Sequence, residues 1–549
     1  GVGSALVVAG YGGGSLEARY STADNPTMIY GWNTALLRKF GVRLLERACQ
    51  DSMSGQLRVR AMAMVFLSNL LTYDHQNYTA ERRLRQMRGN ANASYSHASS
   101  SSLLDRKDNS LLATLCNKGH VHLFVSELLH PKRVAFLNGA IFSLQMEHYE
   151  QIITYEILAS LLLKVALRKD GAKQLLEDRL VSRLAECSFL ENYPEPSYGS
   201  EPELEHSVSK SSRYYQLLIP TLQMIGCMLT SIPKNKILRE QVMSFLVQHR
   251  DVIHKILDDS VRGRARPGDS KNMSLMRHAQ STSNPTIAAS IQASKLITGI
   301  LVSLNVAASS DASSSGSFSS FQSRDQRFFP FYKQLLEKLK RMLSELFATV
   351  QSGFGTRSAR PMMAEDTNDD HAYATTAGSS GGSLANIAEP DNQILVYEII
   401  RNILMVCSSH CRDGKEAVKK LAPVFESGSK SSDDKVSLDV VISIFVHMLD
   451  TSKNPDVPKH NDSVGNIRKD LIKSNYQIHL SVQVIENILQ ILYYHIRYFS
   501  RDKTARQNVR KVRQLLDQLE RMLGSTNALM TNDKGEFMAH LIRRIKRFM

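Results

Sequence analysis

Cysteine is scarce: only six occur in 549 residues. That excludes a disulfide-stapled secreted scaffold and points to a reducing compartment, cytosol or nucleus. The four Asn-x-Ser/Thr sequons, at Asn77, Asn92, Asn272 and Asn461, then read as chance occurrences. Proline and glycine are sparse outside a few stretches, and tryptophan occurs once. Alternating apolar–polar runs are nearly absent, which excludes a sheet as the main architecture. No long apolar run is free of polar residues. The best, Val482 to Phe499, is broken by Glu486, Asn487, Gln490, His495 and Arg497. A membrane-spanning helix needs about 18 apolar residues with few charges, so this stretch reads as a buried helix. Catalytic signatures are missing too: there is no nucleophile elbow, no HExxH and no Walker A sequence. The carboxylates are scattered along helical faces, so no catalytic residue, cofactor or metal is assigned. No signal peptide is visible and the first residue is Gly1, so the chain is expected to be part of a longer protein.

What is present is apolar periodicity of 3.6 residues. Val512, Leu515, Leu516, Leu519, Met522 and Leu523 form one helical stripe. Asp170 to Pro196 is the most informative stretch. A long apolar run, Ile152 to Leu167, ends in Arg168 and Lys169, as cations suit a last helical turn. Gly171 is expected to stop that helix. Ala172, Leu175, Leu176, Val181 and Leu184 then open a second amphipathic run. Two helices with almost no loop between them fold back on each other, the unit from which α-solenoids are stacked.

The expected fold is therefore all-α, an irregular HEAT/armadillo-like α-helical solenoid without a fixed repeat length. Residues 1–25 read as a flexible N-terminal segment. Residues 26–350 read as solenoid with loop insertions near 88–108, 191–210, 259–283 and 308–325. Residues 351–391 read as a disordered linker, and 392–549 as a C-terminal helical tail. Helix is expected from about Trp32 to Tyr73 and almost unbroken from Leu111 to Cys187, with Pro131 suited to a first turn. Two or three helices are expected from Tyr214 to Leu257, with Pro220 a kink or a first-turn residue.

Several constellations carry less than they suggest. Ala5 to Gly14 mimics a strand and phosphate-binding turn, but no βαβ pattern follows. Cys116, His120, His122 and His130 lie on an apolar helical pattern rather than in paired turn couples, so zinc is not assigned. Cys407 and Cys411, one turn apart beside His410, read as small buried thiols. Tyr214, Tyr215, Tyr493 and Tyr494 sit in apolar stripes and read as core. Net charge is +15, but it is dispersed, so no direct nucleic-acid partner is expected. The densest basic cluster, Arg543, Arg544, Lys546 and Arg547, lines the last helix outside its apolar stripe of Phe537, Leu541 and Ile545. That stripe seals a stack, or offers a groove to a partner's amphipathic helix. Ile488 and Leu492 of the preceding long helix complete the candidate partner-helix site.

These blocks resemble a known family. Asp170 to Glu195 is similar to its armadillo-like signature, with a Gly-Ala stop, a Leu-Leu pair and Leu-Ala-Glu-Cys before an acidic Pro-containing loop. Arg213 to Pro220, Leu222 to Ser231, Gln241 to Leu257 and the closing Phe537 to Met549 continue the likeness. The family is the large inner-ring scaffold nucleoporin of the nuclear pore complex, nucleoporin 205 of animals and nucleoporin 192 of fungi. The resemblance is strong over 150–260 and 475–549, weak over 1–110 and absent in the Ser-rich insertions. It implies the C-terminal part of a non-enzymatic, question-mark-shaped α-solenoid at the nuclear envelope. It also implies a tail that binds a helical linker of the nucleoporin 93 type within a multi-subunit complex. Competing readings are a HEAT-repeat nuclear transport receptor, which would show regular repeats of about 40 residues, and a helical-repeat RNA-binding protein.

Overall fold

A computed structural model describes residues 43–54, 56–91, 111–143, 146–194, 209–262, 285–310, 328–355, 390–411, 464–499, 532–548 and six positions between 513 and 521. Every regular element among them is helical. Two bodies form, Gly1–His120 and Val121–Met549. The segments expected to be flexible or disordered lie outside the described residues, apart from the helical residues 351–355 and 390–391. So do the glycine-rich Ala5 to Gly14 stretch and all of the region between Cys411 and Val464.

In the first body, α1 (43–53) buries Leu45, Ala48 and Cys49, and α2 (Leu57–Ala91) buries Met64, Leu67, Leu70 and Leu71. Leu112 and Leu115 of α3 (Leu111–Asn117) are also buried, and α2 packs against α3. The expected single helical run is interrupted at Ser54, and helix persists through residues 88–91, which were expected to be loop.

The second body contains α4 (His120–Leu128) from its second residue on, α5 (Pro131–Ala140), α6 (Met146–Ala166), α7 (Lys169–Glu177), α8 (Leu180–Ala185), α9 (Lys210–Ser231), α10 (Lys236–Gln248), α11 (Arg250–Arg262), α12 (Pro285–Ser310), α13 (Phe328–Gly355), α14 (Pro390–Cys411), α15 (Val464–Phe499) and α16 (Asn532–Phe548). The stretch expected to be almost unbroken is thus six helices, from α3 to α8, with Pro131 at a helix start. Local capping explains several of the boundaries. His130 Nδ1 accepts from Lys132 N at 3.3 Å, Ser209 Oγ from Ser212 N at 3.1 Å, and Asn235 Oδ1 from Leu238 N at 3.0 Å. Each satisfies an N–H that has no partner inside the helix.

Helices α6, α9, α12, α14 and α15 pack successively into one row. Tyr155 of α6 meets Thr221 of α9 at 2.6 Å, and Ser231 of α9 meets the Ala166 carbonyl at 2.6 Å. Lys295 and Thr298 of α12 meet Glu398 and Asn402 of α14. Arg401 and Ser408 of α14 meet Gln483 and Gln490 of α15. In each pair the residue numbers rise together, so these helices run parallel. A second series, α7, α8, α10, α11 and α13, packs element to element alongside and returns the chain. Parallel helices joined through a returning row are the geometry of a solenoid. The partners across the row are 66, 104 and 82 residues apart, which is why no fixed repeat is visible in the sequence.

The α6–α7 junction keeps its expected tightness but not its expected cause. Helix α6 ends at Ala166, and Arg168 stands at the N-cap position of α7, without a side-chain cap hydrogen bond, rather than closing α6. Gly171 does not stop a helix; it is buried in the first turn of α7. A Cβ there would overlap the Val165 carbonyl oxygen and lie 2.8 Å from Val165 Cγ1. Glycine is required for close approach of two backbones, not for its free dihedral angles. Pro220 stands inside α9 and withdraws the N–H that would reach the Gln216 carbonyl. At the next residue Thr221 Oγ1 donates to the Leu217 carbonyl at 2.8 Å and accepts from the Tyr155 hydroxyl.

Candidate interface at the C-terminal helices

The floor beneath the candidate site is a polar seam through α12, α14 and α15. Lys295 Nζ lies 2.5 Å from Glu398 Oε2, and the Tyr476 hydroxyl donates to Glu398 Oε1. Burial, followed by that hydrogen bond to the carboxylate, pushes the Tyr476 phenol up to about 12. Asn402 Nδ2 donates to Thr298 Oγ1 at 3.2 Å, while Arg401 donates to Asn402 Oδ1 and, at 3.1 Å, to Gln483 Oε1. Ser408 Oγ donates to Gln490 Oε1 at 2.7 Å. These pairs fix the register of α15 against α14, and so fix which face α15 turns toward α16.

That face is apolar. The structure brings Ile488, Leu492, Leu541 and Ile545 of the candidate site into helices that pack on each other, and buries all four: they are 1%, 7%, 9% and 0% exposed. Ile542, the neighbour of Leu541, is fully buried with them. The side chain of Phe537 lies outside the described residues. Buried in this way, the four are approachable from outside only along the edges of the α15–α16 seam. Above it the Arg544 guanidinium lies 5.4 Å from the centre of the Tyr493 ring.

Sequence reasoning placed Lys546 with the outward basic cluster, and the structure turns it inward. Its ammonium is 2.5 Å from Asp517 Oδ1 and 2.5 Å from Glu520 Oε2. Burial alone would lower the Lys546 ammonium, but hydrogen bonds to the two carboxylates outweigh it and raise it. The Asp517 carboxyl is lowered first by that Lys546 hydrogen bond. Asp517 and Glu520 stand at i, i+3 on one helical face, the one sequence signal from which a paired cation was foreseeable.

The other singled-out residues have structural roles. His122 Nδ1 lies 3.0 Å from Asp178 Oδ1, and His130 caps α5. Cys407 and Cys411 are buried, and burial raises the Cys407 thiol to about 12. Tyr214 and Tyr215 are buried beside Tyr193 in an edge-to-face cluster, with ring centres 5.3–6.5 Å apart. Among the described residues no group of three or more His, Cys, Asp or Glu side chains is placed to hold a metal ion, and no helix is long and apolar enough to cross a membrane.

Residues 27–303 match the family model of the nuclear pore complex scaffold, nucleoporins 186/192/205. The nuclear pore complex protein Nup205 of Homo sapiens is 25% identical over 230 residues, which is 41% of this chain and 10% of that protein. The chain thus spans about a tenth of that relative's length. An engineered protein of known crystal structure overlaps 92% of this chain and 99% of its own, at 10% identity and a TM-score of 0.20, too low to read a shared fold. The family match takes in the α6–α7 junction and begins at residue 27, well inside the region where the resemblance had looked weak. The C-terminal block, 475–549, lies outside it. With just over half its length matched, this chain belongs to the nuclear pore complex scaffold family of nucleoporins 186, 192 and 205, whose members are components of the pore at the nuclear envelope.

Proposed function

We propose that this chain is a non-catalytic scaffold of the pore's inner ring that supports nucleocytoplasmic transport by holding partner nucleoporins at its C-terminal helices. Family membership supports the scaffold part. The α15–α16 seam supports the second part, because these two helices pack on each other at the end of the row of parallel helices. The partner is a helical linker of the nucleoporin 93 type. Ile488, Leu492, Leu541 and Ile545 form the buried floor that holds the two helices together. Phe537, one turn before Leu541, is the anchor the partner helix meets. Burying one large apolar side chain contributes about 1.5–3 kcal/mol, so a few anchors suffice for a specific contact after the cost of association.

The test is Phe537→Ala in a pull-down with the nucleoporin 93-type linker, alongside a thermal melt. Capture should weaken while the melt stays unchanged. Undiminished capture, or a lower melting temperature, places the site elsewhere.

A further inference from the structure

The outward side of α16 carries charge of one sign. At about 100° per residue, His540, Arg543, Arg544 and Arg547 fall in one sector, opposite the buried Leu541, Ile542 and Ile545. All four of these polar side chains are exposed. The acids nearby are already engaged: Lys546 holds Asp517 and Glu520, and Arg513 and Arg521 add to the positive field around Asp517. Among the described residues no acidic side chain pairs with Arg543, Arg544 or Arg547. Arg543 Nε only reaches back to its own helix, at the Ala539 carbonyl, 3.3 Å away. Arg544 rests over Tyr493, which holds its guanidinium in place.

We infer that the Arg543–Arg544–Arg547 side of α16 docks an acidic segment of a partner protein, with Asp or Glu side chains spaced to meet the three guanidinium groups. This rests on the reading of the C-terminal helices as the partner seat. Planar guanidinium forks suit carboxylates, which accept two parallel N–H bonds from each. A lipid surface is disfavoured, because an interfacial helix must give its apolar face to the membrane, and that face of α16 is packed on α15. A single-stranded nucleic acid is disfavoured as well, because bases need an open aromatic platform. Tyr493, the ring nearest the arginines, is buried beneath Arg544.

The experiment uses the 549-residue chain and a fluorescein-labelled helical peptide of about twenty residues, alternating Glu and Ala so that Glu recurs at i, i+4. Fluorescence anisotropy should show binding that weakens with salt. It should also weaken by about tenfold or more in R543A/R544A/R547A, and partly in R543K/R544K/R547K, which keeps the charge and loses the fork. Circular dichroism melts should coincide, since the three side chains are exposed. The inference is overturned if the alanine variant binds like the wild type, if a Gln-for-Glu peptide binds equally well, or if phosphatidylserine vesicles or oligouridylate bind more tightly than the peptide. Phe537→Ala separates the two readings. If it abolishes capture of the nucleoporin linker while the arginine variant keeps peptide affinity, only the acidic-segment inference fails. If it leaves capture intact while the arginine variant loses the peptide, the basic face stands and the apolar anchor fails.

Discussion

Replacing Gly171 with alanine tests the tightest contact in the solenoid. In an ordinary helix, Gly→Ala stabilises by about 0.5–1 kcal/mol, because alanine loses less backbone entropy on folding. Here the new methyl would overlap the Val165 carbonyl oxygen and sit 2.8 Å from Val165 Cγ1. That carbonyl already accepts from Arg168 N at 3.3 Å at the end of α6, so it cannot swing away without opening the turn. Overpacking costs about 1–3 kcal/mol, and opposition from backbone puts this case at the upper end. The net loss is about 1–2 kcal/mol, which lowers a urea midpoint by up to about 1 M for a slope of about 2 kcal/mol per molar. Gly226→Ala is the matched control, because its Cβ would meet only Ile300 Cγ1 at an ordinary 3.9 Å. That variant should be neutral or slightly stabilised. Urea unfolding followed by circular dichroism, with hydrogen exchange across α6 and α7, reads both. A Gly171→Ala midpoint at or above wild type refutes the steric account, and so does an equal loss in the control.

Lys295→Met should cost about 3 kcal/mol, because it strands the Glu398 carboxylate in a site only 5% exposed. Denaturant unfolding should show most of that loss recovered in K295M/E398Q. Burial lowers the His249 imidazole to about 4, against partial opposition from the Ala185 and Leu184 backbone. Its folded value therefore lies below its unfolded value of 6.5. The associated stability is intact above pH 6.5 and drains away as pH falls toward 4, by about 3 kcal/mol in all. His249→Leu should flatten that part of the wild-type profile, and a variant that tracks the wild type between those pH values would contradict the assignment.

Much of the second body was legible because its local signals agree with its tertiary structure. The apolar stripes of α9, α10 and α11 became the buried residues Leu217, Leu218, Val242, Leu246, Ile253 and Ile256, and three helices stand where two or three were expected. Breaks were harder. From Leu111 to Cys187 the apolar pattern continues across turns, so periodicity alone does not mark where α4, α5 and α6 end. Gly171 was recognisable as a junction residue, but the atom it makes room for belongs to another helix. The parallel row was hidden for the same reason, since its partners lie many tens of residues apart with insertions of unequal length between them. At the tail, the stripe of Leu541 and Ile545 predicted a packed face. What it left open was whether the chain's own α15 or a partner covers that face, and α15 does. Lys546 was misplaced because sequence spacing shows a charge near the seam but not the carboxylates that draw it inward.

The two seams of α15 differ in what a shift would cost. Along α14, three polar pairs stand at successive positions: Glu398 with Tyr476, Arg401 with Gln483, and Ser408 with Gln490. A slip of one turn would break all three and leave Glu398 buried with fewer partners, a penalty of several kcal/mol for a charged group. Along α16 the described contacts are apolar packing and one guanidinium over a ring. Apolar packing is non-directional, so its free energy changes little when side chains move to make room at an edge. On the function proposed above, a helical partner would gain its contacts most cheaply at α16, where making room costs area alone, while the polar seam behind α15 keeps the rest of the row in register.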